Sequence, residues 1–259
     1  MIKIILCGCL GRMGTAVHDL VAQTVGMEIV AGVDVVTRPA LYPMYTNIAD
    51  CQVAADVVID FLPPTAVDDT LKIVDYCAEK SLPLIVCTTA LPENVQGYIE
   101  KAEEKIAVLQ SANLSLGLNL FINLLGQAAK MLHHVDFDIE IMEKHHNKKL
   151  DAPSGTAVVL ANAINHALGG QMEIVHDRTG VHEPRKRNQI GVHAIRGGSI
   201  VGEHSVLFAG LGETLEFTHS AVSREVFAVG AVRAAQFMAG KSAGMYTMQD
   251  LVQDLVKTL

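Results

Sequence analysis

What this 259-residue chain lacks already narrows what it can be. No run approaches the roughly 20 apolar residues that a membrane-spanning helix needs. The N-terminus, Met1 to Leu6, reaches a glycine too early for a secretory leader, so the chain is expected to be cytoplasmic, with no membrane partner. Cysteine is scarce. The five present are an odd number, sit in apolar runs and lack paired spacing, which argues against a disulfide framework and for reduced, buried thiols. Positive charge is also short. A net charge of -8 argues against nucleic acid as a partner, and an acidic chain that binds an anionic substrate must concentrate its cations locally. Repeats, low-complexity tracts and charge blocks are missing. What remains is a chain half apolar, long enough for one large or two moderate domains.

The local concentration of charge lies in Glu143-Lys144-His145-His146-Asn147-Lys148-Lys149-Leu150-Asp151-Ala152-Pro153-Ser154-Gly155-Thr156. Before it, 137 to 143 alternates Phe, Ile, Ile with Asp, Glu, Met, the pattern of a half-buried strand. After it, Val159, Leu160, Ala163, Ile164, Ala167 and Leu168 recur with helical period from Thr156 onward. The loop therefore hangs between a strand and a helix start, where free N-H groups suit a carboxylate or phosphate. His145, His146 and Lys149 can add a proton and positive charge beside that anion. Taken alone, the loop reads equally well as a solvated basic turn. A metal site is not expected: adjacent histidines on extended chain point to opposite sides, and no His-x-x-x-His or Cys-x-x-Cys pair completes a ligand set.

At the other end of the chain, a strand at Ile2 to Leu6 runs into Gly8-Cys9-Leu10-Gly11-Arg12-Met13-Gly14 and then a helix from about Arg12 to Val25. Strand, glycine loop and helix in that order suit a dinucleotide, and the acid Asp34 after a second strand (Glu28 to Val33) can meet the adenosine ribose. Further strands are expected at Val57 to Leu62, Leu84 to Val86 and Ile106 to Gln110, with a helix opening at Pro63-Pro64-Thr65 and running to about Lys80. Alternation of this kind implies a doubly wound parallel sheet with ligands at the carboxyl ends of its strands, near Gly8, Asp34, Cys87 to Ala90 and Ser111 to Leu114. A long helix follows over Leu118 to Leu132. Gln189 to Ser220 reads as successive strands of a more open sheet, with Gly197-Gly198 as a hairpin turn, and Arg224 to Met238 and Met248 to Val256 are again helical. The charged stretch Asp177 to Asn188, with Pro184, reads as a mobile loop. Cys7 and Cys87 are expected to end neighbouring strands near the cofactor, with inert burial favoured over reactivity.

These stretches together resemble the dihydrodipicolinate reductase (4-hydroxy-tetrahydrodipicolinate reductase) family of diaminopimelate and lysine synthesis. The matching runs are 8 to 14, Ser111 to Gly117 and, above all, the E-x-H-H-x-x-K-x-D-A-P-S-G-T run from Glu143 to Thr156. Arg196-Gly197-Gly198, Val201-Gly202-Glu203-His204 and Ala228 to Arg233 also match. The resemblance implies an α/β fold: a Rossmann-like dinucleotide-binding domain over 1–115 and 220–259, interrupted at 116–219 by an α+β domain with a mixed open sheet for substrate and tetramer formation. It implies reduction of a cyclic imine dicarboxylate with NADH or NADPH. His145 matches the acid/base residue and Lys149 the proton donor. His146, Gly155 and Thr156 match the holders of the substrate carboxylates, and Ser154 begins the helix that supplies N-H groups to them. Cofactor contacts fall on Gly8, Cys9, Leu10, Gly11, Arg12, Met13, Asp34, Cys87, Thr88, Thr89, Ser111, Ala112, Asn113 and Leu114. Where the family commonly has Gly-Thr-Thr-Gly, this chain has Cys87-Thr88-Thr89-Ala90, and Asp34 is followed by Val35 where the family often has arginine.

Asp34 can accept from a ribose 2'-hydroxyl but would repel a 2'-phosphate, so NADH is the expected preference. Two other readings are an amino-acid or semialdehyde dehydrogenase on the same cofactor domain, which leaves the His-His-x-x-Lys run unexplained, and a non-catalytic nucleotide sensor, which would not need Lys149.

Overall fold

The structure is a computed structural model and describes residues 1–257. The chain divides into two compact units, Met1–Leu116 with the segment from Glu225 onward, and Gly117–Arg224.

The first unit is built on a seven-stranded sheet of β1 (Ile2–Cys7), β2 (Met27–Val33), β3 (Met44–Tyr45), β4 (Val57–Asp60), β5 (Leu84–Val86), β6 (Ala107–Gln110) and a late strand, β12 (Gly244–Tyr246). Their order is β12-β6-β5-β4-β1-β2-β3, and every pairing is parallel. The helices are α1 (Arg12–Ala22), α2 (Val67–Lys80), α3 (Glu93–Ala102) and, from the C-terminal segment, α6 (Glu225–Met238) and α7 (Met248–Lys257). Successive residues of β1 feed opposite cores. Ile4 and Leu6 pack with α1, α6 and α7, while Ile5 and Cys7 pack with α2 and α3. Burial on both faces is why this strand is a continuous apolar run rather than an alternation.

The second unit carries α4 (Leu116–His134, whose first residue belongs to the first unit), β7 (Asp138–His145), α5 (Gly155–Ala167), β8 (Glu173–Val175), β9 (Gln189–Arg196), β10 (Gly202–Gly210) and β11 (Glu213–Ala221). Its five-stranded mixed sheet has the order β11-β10-β7-β9-β8. Central β7 pairs antiparallel to β10 and parallel to β9. Leu118, Phe121 and Leu125 of α4 and Leu160 and Ile164 of α5 pack on Ile139, Ile141, Val206 and Phe208 of one face.

Several local expectations change. The helix expected at Pro63 starts at Val67, because Pro63 closes a turn by accepting from Ala66 N. The first helix stops at Ala22, three residues early, with Thr24 capping back onto Leu20. Gly197-Gly198 is not a hairpin turn, because β7 lies between β9 and β10. The hairpin in this sheet is the Leu211-Gly212 turn joining β10 to β11, where Gly212 has φ +84°. Cys7 and Cys87 do not end neighbouring strands, since β4 lies between β1 and β5. The 177–188 stretch is irregular but tethered: Arg185 reaches Asp138, Glu140 (3.1 Å) and the carbonyls of Ile139 and Gln189.

Candidate active site

In the first unit the site is mostly backbone. Gly8 has φ +73°, and a Cβ there would sit 2.8 Å from Phe61 O. A Cβ on Gly14 would sit 2.2 Å from Gly8 O, so both positions must be glycine for the loop to fold down onto β4 and α1. Gly11 is the N-cap of α1 and offers no side-chain cap, leaving that helix start to satisfy its N-H groups from outside the chain. Asp34 reaches back from the end of β2: Leu10 N donates to its Oδ2 (2.8 Å) and Val35 N to its Oδ1 (2.8 Å). Each of these oxygens keeps a further acceptor position. Beside Asp34 a cleft is lined by Thr46, Asn47, Leu62, Asp69 and Lys72. A second cleft brings Met13, Cys87, Ser111, Ala112 and Leu114 together with Phe61 and Phe227.

The other expected cofactor residues divide between surface and scaffold. Arg12 and Thr89 are exposed. Thr88 is buried and donates to Leu62 O (2.8 Å), and Asn113 Oδ1 accepts from Ser115 N, so both side chains brace their loops. Cys9 is buried, and burial followed by the charge of Asp34 pushes its thiol up to about 11. Burial first, then Asp60, also raises Cys7 and Cys87 well above the usual thiol range. At all three, burial disfavours the reactive thiolate form. At Ala90 the backbone takes φ +55°, the left-handed region that the family's glycine would enter freely, whereas Cys87 is not among the positive-φ residues.

In the second unit the site is made of side chains. Along β7 burial alternates, and Ile139, Ile141, Glu143 and His145 share the covered face. His145 is therefore the last residue of the strand, not part of the loop. Glu143 is fully buried and fully bonded. Arg196 Nη1 and Nη2 donate to its two oxygens (2.7 Å each), Ser154 N donates to Oε1 (2.9 Å), and His145 Nδ1 lies 2.6 Å from Oε2. Burial alone would raise this carboxyl, but the bonds from Arg196, His145 and Ser154 outweigh it and hold the group below the usual range.

His204, opposite Glu143 on β10, stacks edge-on against His145 with ring centres 5.1 Å apart. Burial, then the proximity of His145, lowers its pKa to about 4, so it is neutral at pH 7. Its Nε2 lies 3.0 Å from Ser154 Oγ, which also caps α5 by accepting from Ala157 N (3.2 Å). Ser154 thus spends both its N-H and its hydroxyl inside the protein. Lys149 pairs with Asp151 (2.8 Å), and the other oxygen of Asp151 accepts from Gly155 N (3.3 Å). A carboxylate of the chain itself therefore bridges the lysine and the start of α5. His146 is half-buried, with Nδ1 buried and unpartnered among the described residues.

Sequence reasoning passed over Glu143, Arg196 and His204 as site residues. The signal was present for Glu143, a charged residue on the same parity as Phe137, Ile139 and Ile141.

Family models for the dihydrodipicolinate reductase N-terminus and C-terminus match residues 2–114 and 117–252. The chain belongs to the dihydrodipicolinate reductase family. The 4-hydroxy-tetrahydrodipicolinate reductase of Clostridium novyi is 46% identical over 98% of this chain and 99% of its own, and that of Caldanaerobacter subterraneus is 47% identical with the same coverage. In fold it is similar to a dipicolinate-bound dihydrodipicolinate reductase from Paenisporosarcina sp. TG-14 (TM-score 0.76, 23% identity, 95% and 97% of the two chains). A diaminopimelate dehydrogenase of C. glutamicum shares the fold more distantly (TM-score 0.56, 16% identity, 99% and 98%). Dihydrodipicolinate reductases are pyridine-nucleotide-dependent oxidoreductases, and the tight glycine loop, whose close backbone approaches at Gly8 and Gly14 a Cβ would block, fits that cofactor. Among the described residues no helix is long and apolar enough to cross a membrane.

Proposed function

We infer that this chain is a 4-hydroxy-tetrahydrodipicolinate reductase, reducing the cyclic imine dicarboxylate to tetrahydrodipicolinate in diaminopimelate and lysine synthesis. The observation that carries this is the His145 to Thr156 segment, where an oriented histidine, a lysine and a helix start are assembled within a chain matched almost throughout to that family. When bound, the reduced nicotinamide supplies a hydride to the ring. His145 and Lys149 are positioned to stabilise the negative charge left there and to return a proton. His146, with the N-H groups of Gly155 and Thr156, holds the substrate carboxylates. Asp151 exchanges its place at Gly155 N for one of them. The glycine loop, Asp34, Cys87 to Thr89 and Ser111 to Leu114 hold the cofactor. Loss of absorbance at the reduced-nicotinamide band on adding the cyclic imine tests the reading. Oxidation of an open-chain amino acid with no response to the imine would favour the dehydrogenase alternative, and cofactor binding without turnover would favour a sensor.

The preferred cofactor is NADH. Asp34 still has acceptor positions for a ribose hydroxyl, whereas a 2'-phosphate would meet its charge. Like charges in water cost only about 1 kcal/mol, so the ratio of specificity constants should favour NADH by a several-fold to roughly tenfold margin. A strong NADPH preference would mean that Arg12 or Arg38 overrides Asp34. The assembly is a homotetramer in the cytoplasm. Support comes from β11, a nine-residue edge strand with exposed Leu215, whose free edge can continue a sheet into another subunit. A monomer mass in solution would refute it.

A further inference from the structure

The ion pair beside His145 places a fully buried carboxylate where an apolar side chain would cost less desolvation. Glu143 stands where the parity of β7 calls for a third isoleucine, and Arg196, which β7–β9 register places beside His145, closes on it with both arms of its fork. Replacing such a pair with apolar residues is often neutral or stabilising, so its presence calls for a use. The donors that cannot change role, all but the imidazole, divide unevenly over the carboxylate. Oε1 takes Ser154 N and Arg196 Nη2, while Oε2 takes Arg196 Nη1 and faces His145 Nδ1 at 2.6 Å. Arg196 is itself fixed by donating to Asp151 O (2.6 Å) and Ile195 O (2.8 Å), which ties it to the loop that carries Lys149. A carboxylate accepts only, so Nδ1 must carry the proton. At the other edge of the ring, Nε2 has no hydrogen-bond partner among the described residues, and a Cβ on Gly202 would stand 3.1 Å from it. His204 from β10 stands edge-on to the ring and is itself engaged by Ser154 at the start of α5.

We propose that Glu143 and Arg196 are positioning residues for the reaction: the carboxylate, clamped by the guanidinium fork, holds the Nδ1 proton of His145 and so fixes Nε2, on the side kept clear by Gly202, as the atom that takes up and returns the catalytic proton. The proposal rests on the reductase reading above and adds to it the tautomer, the reacting nitrogen and two residues that touch neither substrate nor cofactor. The arrangement follows the logic of a buried acid orienting a catalytic histidine.

Glu143→Gln makes the claim testable because it changes charge and donor pattern at nearly constant shape. The amide oxygen is expected at the Oε1 place, where two donors that cannot change role converge, which turns the NH2 toward Nδ1 and Arg196 Nη1; Nη1 keeps its bond to Ile195 O, and the imidazole, the one partner able to change role, accepts at Nδ1. The neutral ring should then invert from the Nδ1-H to the Nε2-H tautomer, read by ring 15N shifts of His145 in the free protein, assigned with His145→Gln. With the cyclic imine, kcat should fall, by at most the roughly 10²–10⁴-fold that a general acid supplies, while KM stays within about threefold. Arg196→Lys, which keeps the charge but not the fork, should retain the Nδ1-H tautomer and lose less activity. An Nε2-H ring in the wild type would overturn the proposal even if no variant folds. So would a folded Glu143→Gln protein with an unchanged ring signal and unchanged kcat. Failure of the wild type to turn over the imine would instead remove the reductase reading, with the tautomer still deciding the positioning.

Discussion

The two units build their candidate binding groups in different ways. In the first, the polar groups at the strand ends are mostly backbone N-H groups shaped by glycines, and the one fully buried carboxylate there among the described residues, Asp60, accepts from Leu62 N (2.8 Å), while Thr88 Oγ1, 3.4 Å away, donates to Leu62 O at the shorter distance of 2.8 Å. Burial pushes it up to about 6. In the second, the fully buried carboxylate, Glu143, has a bidentate arginine, a histidine and a backbone N-H and is held down. The same residue class at similar depth is driven in opposite directions by the number of donors it meets. A site for a cofactor that brings its own chemistry can be mostly backbone. A site that must move a proton needs charged side chains held in place.

The largest expected effect separates the two regions by function. His145→Ala should lower kcat by on the order of 10²–10⁴-fold while leaving NADH affinity, which the proposed cofactor loops of the first unit supply, within about twofold. Loss of cofactor affinity in that variant would break the division.

The next effect is on stability. Asp60 has a folded pKa above its unfolded value near 3.8, so the folded state holds the proton longer. Stability from this group is complete below about pH 4 and is lost as pH rises through about 6. At about 1.4 kcal/mol per unit the cost at neutral pH is about 3 kcal/mol. His204 runs the other way. Its folded pKa near 4 lies below the ordinary 6.5, so the unfolded chain binds the proton first and stability is lost as pH falls from about 6.5 to 4, again by about 3 kcal/mol. Thermal melts between pH 4 and 7 should show Asp60→Asn gaining on the wild type as pH rises and His204→Gln gaining as pH falls. Parallel pH responses would show that the two buried groups do not differ as described.

Smaller effects test the backbone region. Gly14→Ala would place a methyl 2.2 Å from Gly8 O and should cost about 1–3 kcal/mol, with weaker NADH binding. Ala90→Gly relieves a left-handed alanine at about 1–2 kcal/mol, offset by roughly 0.5–1 kcal/mol of glycine entropy, so a Tm gain of only a few degrees is expected.

These differences also explain how much was legible beforehand. The glycine spacing from Gly8 to Gly14 and the acid at Asp34 placed one set of loops, because the constraints are local and glycine is their visible mark. Short strands such as Met44–Tyr45 and Gly244–Tyr246, and α3 at Glu93–Ala102, were missed because their weak patterns are stabilised by neighbours in the sheet and core, not by local propensity. Arg196 and His204 meet Glu143 only through cross-strand register, 53 and 61 residues away in the chain, and local pattern carries no trace of that. His145 was read as loop because two histidines followed by lysines look solvated, whereas β7 runs on to bury the first of them.

The central claim is that the second unit supplies the proton through fixed side chains. Its most direct test is the steady-state oxidation of NADH by Lys149→Ala with the cyclic imine, alongside that variant's thermal melt and NADH affinity. The result expected is a native melt, native cofactor affinity and turnover reduced by on the order of a hundredfold or more. Near-native turnover in that folded, cofactor-binding variant would contradict the account.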